Sequence, residues 1–204
     1  VCAKSLITLC RKMKEQYDIP WISVSFYGRR DTSFAIREIV KALGDPKLIA
    51  RAEEVIAEED AKLEERLIPF KKAFAGKKAV LNTGGNKAWS IASGLQDLGI
   101  EVVATSIRKS TEDDIAKARE YLGESGLLMK SPASQQAKVI DERGAHILLA
   151  GGRSLYTAIK KKISFIDVNQ EKKVSYGGYE GLLNLAQDLK YAFENPVFAN
   201  VAAQ

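Results

Sequence analysis

Four short segments combine glycine, amide and cationic side chains after apolar runs: Thr83-Gly84-Gly85-Asn86-Lys87, Ser106-Ile107-Arg108-Lys109-Ser110, Gly151-Gly152-Arg153 and Asn169-Gln170-Glu171-Lys172. Together they hold at least five cations: Lys87, Arg108, Lys109, Arg153 and Lys172. Glycine lets the backbone approach a ligand closely, and a helix opening after such a turn presents unpaired N–H donors. Donors and cations together make a receptor for an anion. A mononucleotide, a flavin phosphate, a polycarboxylate and an anionic cluster all meet that description, and charge alone does not choose among them. For a single glycine pair, a tight strand-to-helix turn without a ligand is the better reading; two pairs on one edge weaken it.

Cys2 offers a second chemistry. It stands at the first turn of a predicted helix, where the positive end of the helix dipole favours the thiolate. Thiolate is the form that binds soft metals, including the iron of iron–sulfur clusters. A small residue packed near a chain end is the plainer reading of the same position. Cys10 falls on the apolar face of that helix and reads as core. The single histidine, His146, opens a predicted strand away from the glycine turns and reads as structural.

Other chemistries lack their residues. There is no Gly-x-Gly-x-x-Gly and no Gly-Lys-Ser/Thr loop, which disfavours a dinucleotide or a nucleoside triphosphate. No nucleophile elbow is present, and no paired ligands stand at zinc spacing.

The elements that must position these groups follow from hydrophobic rhythm. Leu6, Leu9, Cys10, Met13 and Tyr17 mark one face of a helix that Pro20 must end; Trp21–Phe26 reads as a strand, and Phe34–Leu43 as a helix capped by Asp31, Thr32 or Ser33. Asp45-Pro46 opens a charged helical segment reaching Ala75, with a break or kink expected near Pro69 and a solvated charged face. Beyond Lys77, strands predicted at 79–81, 101–107, 127–129, 146–150 and 164–168 alternate with helices, the last closing near Asn195. Such alternation requires a parallel sheet with helices on both faces. The fold class is therefore α/β: a flavodoxin- or Rossmann-like domain over 76–204, preceded over 1–75 by the end of another α/β domain and a helical connector. In this register all four segments lie at the C-terminal edge of the sheet, where open α/β sheets bind ligands.

The 204 residues and 46% hydrophobic content suit a globular core, and no apolar run approaches the roughly 20 residues of a membrane span. A net charge of +5, with 31 basic and 26 acidic residues interspersed, does not favour nucleic acid. Two cysteines form no disulfide framework, so a reducing cytoplasm is the expected compartment. The chain opens at Val1, as expected of the C-terminal portion of a longer protein.

With these residues in hand, the chain resembles the C-terminal half of an α-type subunit of the nitrogenase component 1 superfamily, on its cofactor-assembly side. The resemblance runs over essentially the whole length. It is carried by Cys2 with Ser5, Tyr17-Asp18-Ile19-Pro20-Trp21, Phe26-Tyr27-Gly28 with Asp31-Thr32, and Thr83 to Ser90. It continues through Leu95-Gln96-Asp97-Leu98-Gly99, Lys109 to Asp113, Ala150 to Arg153 and Phe165 to Glu171.

The resemblance implies that Cys2 ligates the terminal iron of a cofactor or its iron–sulfur precursor. It implies that Gly84, Gly85 and Lys87 pack on the cluster, with Lys87 where catalytic subunits have Arg. Arg153 falls where those subunits have a lysine near homocitrate. Asn169 stands in place of the histidine that ligates molybdenum, and an amide is the weaker ligand. One ligand instead of two suits a scaffold that releases its cargo, the iron–molybdenum cofactor with homocitrate, rather than a catalyst. Implied partners are a related NifN-like subunit forming a heterotetramer, an ATP-dependent iron-protein reductase and a cluster donor. The alternatives are a catalytic subunit of a nitrogenase-like reductase, or a flavodoxin-like module binding a phosphate ligand.

Overall fold

The structure, a computed structural model, describes residues 3–130, 132–171 and 173–198. Three helices lead: α1 (Ala3–Tyr17), α2 (Arg29–Leu43) and α3 (Pro46–Ala73). Strands and helices then alternate as β1 (Lys78–Asn82), α4 (Lys87–Asp97), β2 (Glu101–Ser106), α5 (Glu112–Leu122), β3 (Leu127–Leu128), α6 (Ala133–Arg143), β4 (Ile147–Ala150), α7 (Leu155–Lys160), β5 (Ser164–Asp167) and α8 (Gly178–Glu194). The five strands form one sheet in the order β3-β2-β1-β4-β5, with every pair parallel. Of the two orders left open by the sequence, this is the Rossmann one.

Alternation along the central strands sends side chains to opposite faces. Ala79, Leu81, Ile147 and Leu149 join a core with Leu95 of α4, Leu63, Leu67 and the nearby Phe74 of the α3 end, and Leu182 and Leu189 of α8. Val80, Leu148 and Ala150 join a second core with Val139 and Ile140 of α6 and Ala158 of α7. Residues 79–81 and 147–150 are fully excluded from solvent. Each large aliphatic side chain so buried contributes about 1.5–3 kcal/mol.

Capping sets the helix ends. Asp45 accepts a hydrogen bond from the Lys47 N–H with Pro46 at the first helical position. Thr111 and Asp114 cap α5 reciprocally, and Asp114 also accepts from Trp89 Nε1 at 2.9 Å, tying α4 to α5. Helix α3 continues through Pro69 as one element. Its expected charged face is present, with Arg37–Glu53 and Arg66–Glu180 forming exposed pairs to α2 and α8.

Three expectations are corrected. Trp21–Phe26 forms no strand; only Tyr27 pairs, in an isolated antiparallel bridge to Gly177. A strand needs a neighbouring edge along its length, and Trp21, Ile22 and Phe26 remain 40–43% exposed. The apolar face of α1 is only partly covered, with Leu9 and Tyr17 exposed and Cys10, expected in the core, half-buried. Helix α2 starts at Arg29, so Asp31, Thr32 and Ser33 are buried in its first turns rather than capping it.

Gly28 makes that earlier start possible. Its φ is +78°, and a Cβ there would lie 2.9 Å from the Gly94 nitrogen on α4. Gly44, with φ +72°, faces open space. Gly28→Ala should therefore cost about 2–3 kcal/mol and Gly44→Ala about 1 kcal/mol, read as urea midpoints. Equal shifts would show that the α2–α4 approach does not constrain Gly28.

Candidate functional site

The chain leaves β1 toward β2 on one side, and leaves β4 toward β5 on the other. Loops 83–86 and 151–154 therefore diverge, opening a crevice at the C-terminal ends of adjacent strands. Two adjoining cavities lie there. One of about 670 Å³ is bordered by Arg108, Gly151, Gly152, Arg153, Asp167 and Gln170 among others. One of about 260 Å³ is bordered by Tyr27, Gly84, Gly85, Asn86 and Lys87. Thr83, Lys109 and Asn169 border both, so the two form one cleft.

The glycines serve loop-to-loop contact. Gly84 has φ +72°, and a Cβ on it would fall 2.2 Å from the carbonyl oxygen of Arg108. A Cβ on Gly151 would fall 2.5 Å from Asn169 Nδ2. Each first glycine thus allows a neighbouring turn to close on it, and both contacts lie within the cleft wall. Lys109 completes this wall in a left-handed conformation, φ +75°, uncommon for a side chain of its size.

All described residues expected at the site are brought together: Gly84, Gly85, Lys87 and Asn169 line the smaller cavity, and Asn169 and Arg153 the larger. Cys2 and Lys172 lie outside the described residues. Among the described residues, Arg108, Lys109 and Arg153 make no ion pair, and Asp167 is the one acid bordering the cleft. Thr83 Oγ1 and Ser110 Oγ at this edge are buried without a hydrogen-bond partner among the described residues. His146 stands at the opposite end of β4, where its Nδ1 accepts from the Lys78 N–H at 3.0 Å, in agreement with a structural role.

Lys87 is not free. Its ammonium donates to the Val168 carbonyl at 2.8 Å and to Glu171 Oε1 at 2.6 Å, and sits 5.2 Å from the centre of the Tyr27 ring. The Tyr27 hydroxyl donates to the same carboxylate oxygen. Glu171 Oε2 accepts from the Tyr176 N–H at 2.8 Å and from Ser175 Oγ at 3.3 Å. Tyr27 reaches this point because Gly178 N–H donates to the Phe26 carbonyl at 2.7 Å and Arg29 N–H to Asp97 Oδ2 at 2.8 Å. Glu171 lies in one of the turns that the sequence placed at this edge, but neither its pairing with Lys87 nor the presence of Tyr27 was legible there. The separation of Tyr27 and Glu171 by 144 positions left no spacing signal.

A model of the nitrogenase component 1 type oxidoreductases matches residues 1–194. The chain belongs to that family. It is 46% identical over 202 residues to the nitrogenase iron-molybdenum cofactor biosynthesis protein NifE of Nostoc sp., covering 98% of this chain and 42% of that protein. Against NifE of Klebsiella pneumoniae the identity is 41%, over 97% of this chain and 44% of the relative. The chain thus spans less than half the length of these relatives. A solved component 1 structure, nitrogenase Cp1 at pH 6.5, superposes with a TM-score of 0.83 at 20% identity, covering 97% of this chain and 49% of that one. That likeness is one of fold, and it agrees with the parallel α/β architecture read from the sequence.

Burial pushes the Glu171 carboxyl up, but the bonds from Lys87, Tyr27 and the Tyr176 N–H outweigh it and hold it below the usual glutamate range. Burial, then Glu171 itself, pushes the Tyr27 phenol upward. A carboxyl depressed in the fold contributes stability above its unfolded pKa and loses it as pH falls through the folded value. Glu171→Gln should therefore be less stable than wild type at neutral pH, with the deficit shrinking as pH falls from about 5 to about 3. Urea midpoints across that range check this; a deficit independent of pH would remove the carboxylate charge from the account.

Proposed function

We propose that this chain is part of a scaffold subunit on which the nitrogenase iron–molybdenum cofactor is assembled; its NifE relatives are named as proteins of that cofactor's biosynthesis. The cargo is an iron–sulfur precursor, held as substrate at the crevice while molybdenum and homocitrate are added. The observation that carries this reading is the gathering of the 83–87, 108–109, 151–153 and 169 positions around one cleft. Three of its cations have no ion pair among the described residues.

The chemistry of the rim fits a bulky anion better than a bare metal ion. Among the described residues, no group of three or more His, Cys, Asp and Glu could hold a metal. Backbone at Gly84 and Gly85 with cations at Lys109, Arg108 and Arg153 would steady an anionic cluster by charge and shape. The covalent anchor in this reading is the Cys2 thiolate. Asn169 presents an amide where an imidazole would bind metal firmly, which leaves the far end of the cargo exchangeable. A NifN-like subunit, an ATP-dependent iron-protein reductase and a cluster donor complete the assembly system; no helix of the described residues is long and apolar enough to cross a membrane.

Cys2→Ala in the complete protein, purified without oxygen, should lose most of its cofactor-type iron; unchanged iron content and paramagnetic resonance would refute the scaffold reading. Asn169→His should load normally but donate cargo more slowly. Normal transfer to cofactor-free acceptor would contradict the role given to the amide.

A further inference from the structure

Among the cleft-lining cations of the described residues, Lys87 alone is neutralised by a carboxylate of its own chain. That carboxylate, Glu171, also ties down the 173–177 segment that leads into α8. Lys87 and Tyr27 bond to one oxygen, and Ser175 and the Tyr176 N–H to the other. Side chains of the pair are only 21% and 17% exposed, so neither charge can be left without a partner cheaply. Yet Lys87 borders the smaller cavity together with Gly84, Gly85, Lys109 and Asn169.

We propose that Glu171 is a positioning residue that acts as an internal counter-anion: it competes with a polyanionic ligand for Lys87, and a ligand that draws Lys87 away loosens the bonds from Ser175 and Tyr176 and with them the 173–177 segment. This rests on reading the cleft as an anion site. An ammonium can turn between two acceptors without leaving its pocket, because its three donors rotate on a flexible stem. Once a ligand shares Lys87, the Glu171 carboxylate faces added negative charge and loses its compensating cation. Its remaining bonds, from Tyr27, Ser175 and the Tyr176 N–H, then no longer offset its burial. Ligand occupancy and loop closure are coupled, and the coupling is reciprocal: whatever holds the loop shut weakens the ligand by the same factor. A site that must give up what it holds gains reversibility from such competition.

Citrate serves as the probe, because it is a compact polyanion and does not need Cys2. Calorimetric titration of the intact protein should give roughly tenfold tighter citrate binding for Glu171→Gln than for wild type, with the gain shrinking as salt rises. Glu180→Gln, which removes the same charge from the exposed Arg66–Glu180 pair outside the cleft, should bind within about twofold of wild type. In wild type, saturating citrate should speed hydrogen exchange at the Tyr176 amide, and this result decides the matter alone if Glu171→Gln does not fold. Equal or weaker binding by folded Glu171→Gln, no citrate binding by wild type, or unchanged or slowed exchange at Tyr176 would each overturn the proposal. Loss of the scaffold reading is separately visible, since iron retention by Cys2→Ala bears on the cargo and leaves the citrate result standing.

Discussion

The pairing of β1 with β4 is the constraint from which the site descends. Residues 79–81 and 147–150 are wholly excluded from solvent, and the registered contact from Ala79–Ile147 to Asn82–Ala150 brings together turns that lie about 70 residues apart in sequence. The chain departs from them in opposite directions, so a crevice must open where they end. Burial of alternating aliphatic side chains on both faces makes this pairing robust. The polar turns beyond it can therefore be built for contact with a ligand rather than for stability.

Around that crevice, close approach of backbone does as much as charge. Gly84 against Arg108 and Gly151 against Asn169 leave no room for a Cβ, so the four turns close in two pairs, one on each side of the crevice. The cations then divide into two kinds. Arg108, Lys109 and Arg153 stand at the rim without ion pairs among the described residues, whereas Lys87 is folded into a half-buried pair with Glu171. A receptor with both open and internally compensated cations attracts an anion without binding it irreversibly.

The leading helices matter to the site through one turn. Tyr27 is carried to Glu171 by the Gly28 turn, itself pressed onto Gly94 of α4 and hydrogen-bonded to Asp97. Other parts of this region, such as Leu9 and Tyr17 of α1 and residues 19–22, remain exposed. Membership of the nitrogenase component 1 type family and identity above 40% to NifE proteins agree with the resemblance first carried by short motifs along the sequence.

Sequence alone determined the elements governed by local rules. Period-2 and period-3.6 patterns located five strands and their helices, while Asp45-Pro46 marked the start of α3, because capping and turn chemistry act within a few residues. It also named the glycine and cationic positions of the cleft, since strand ends in a parallel sheet share one edge. Tertiary structure alone decided the strand order, the fate of Trp21–Phe26 and the Lys87–Glu171–Tyr27 hub. A strand exists only if an edge is free to pair with it, and a lysine's charge is open only if no distant carboxylate reaches it. Both depend on which surfaces meet after folding, and that information is spread over separations of 84 and 144 residues.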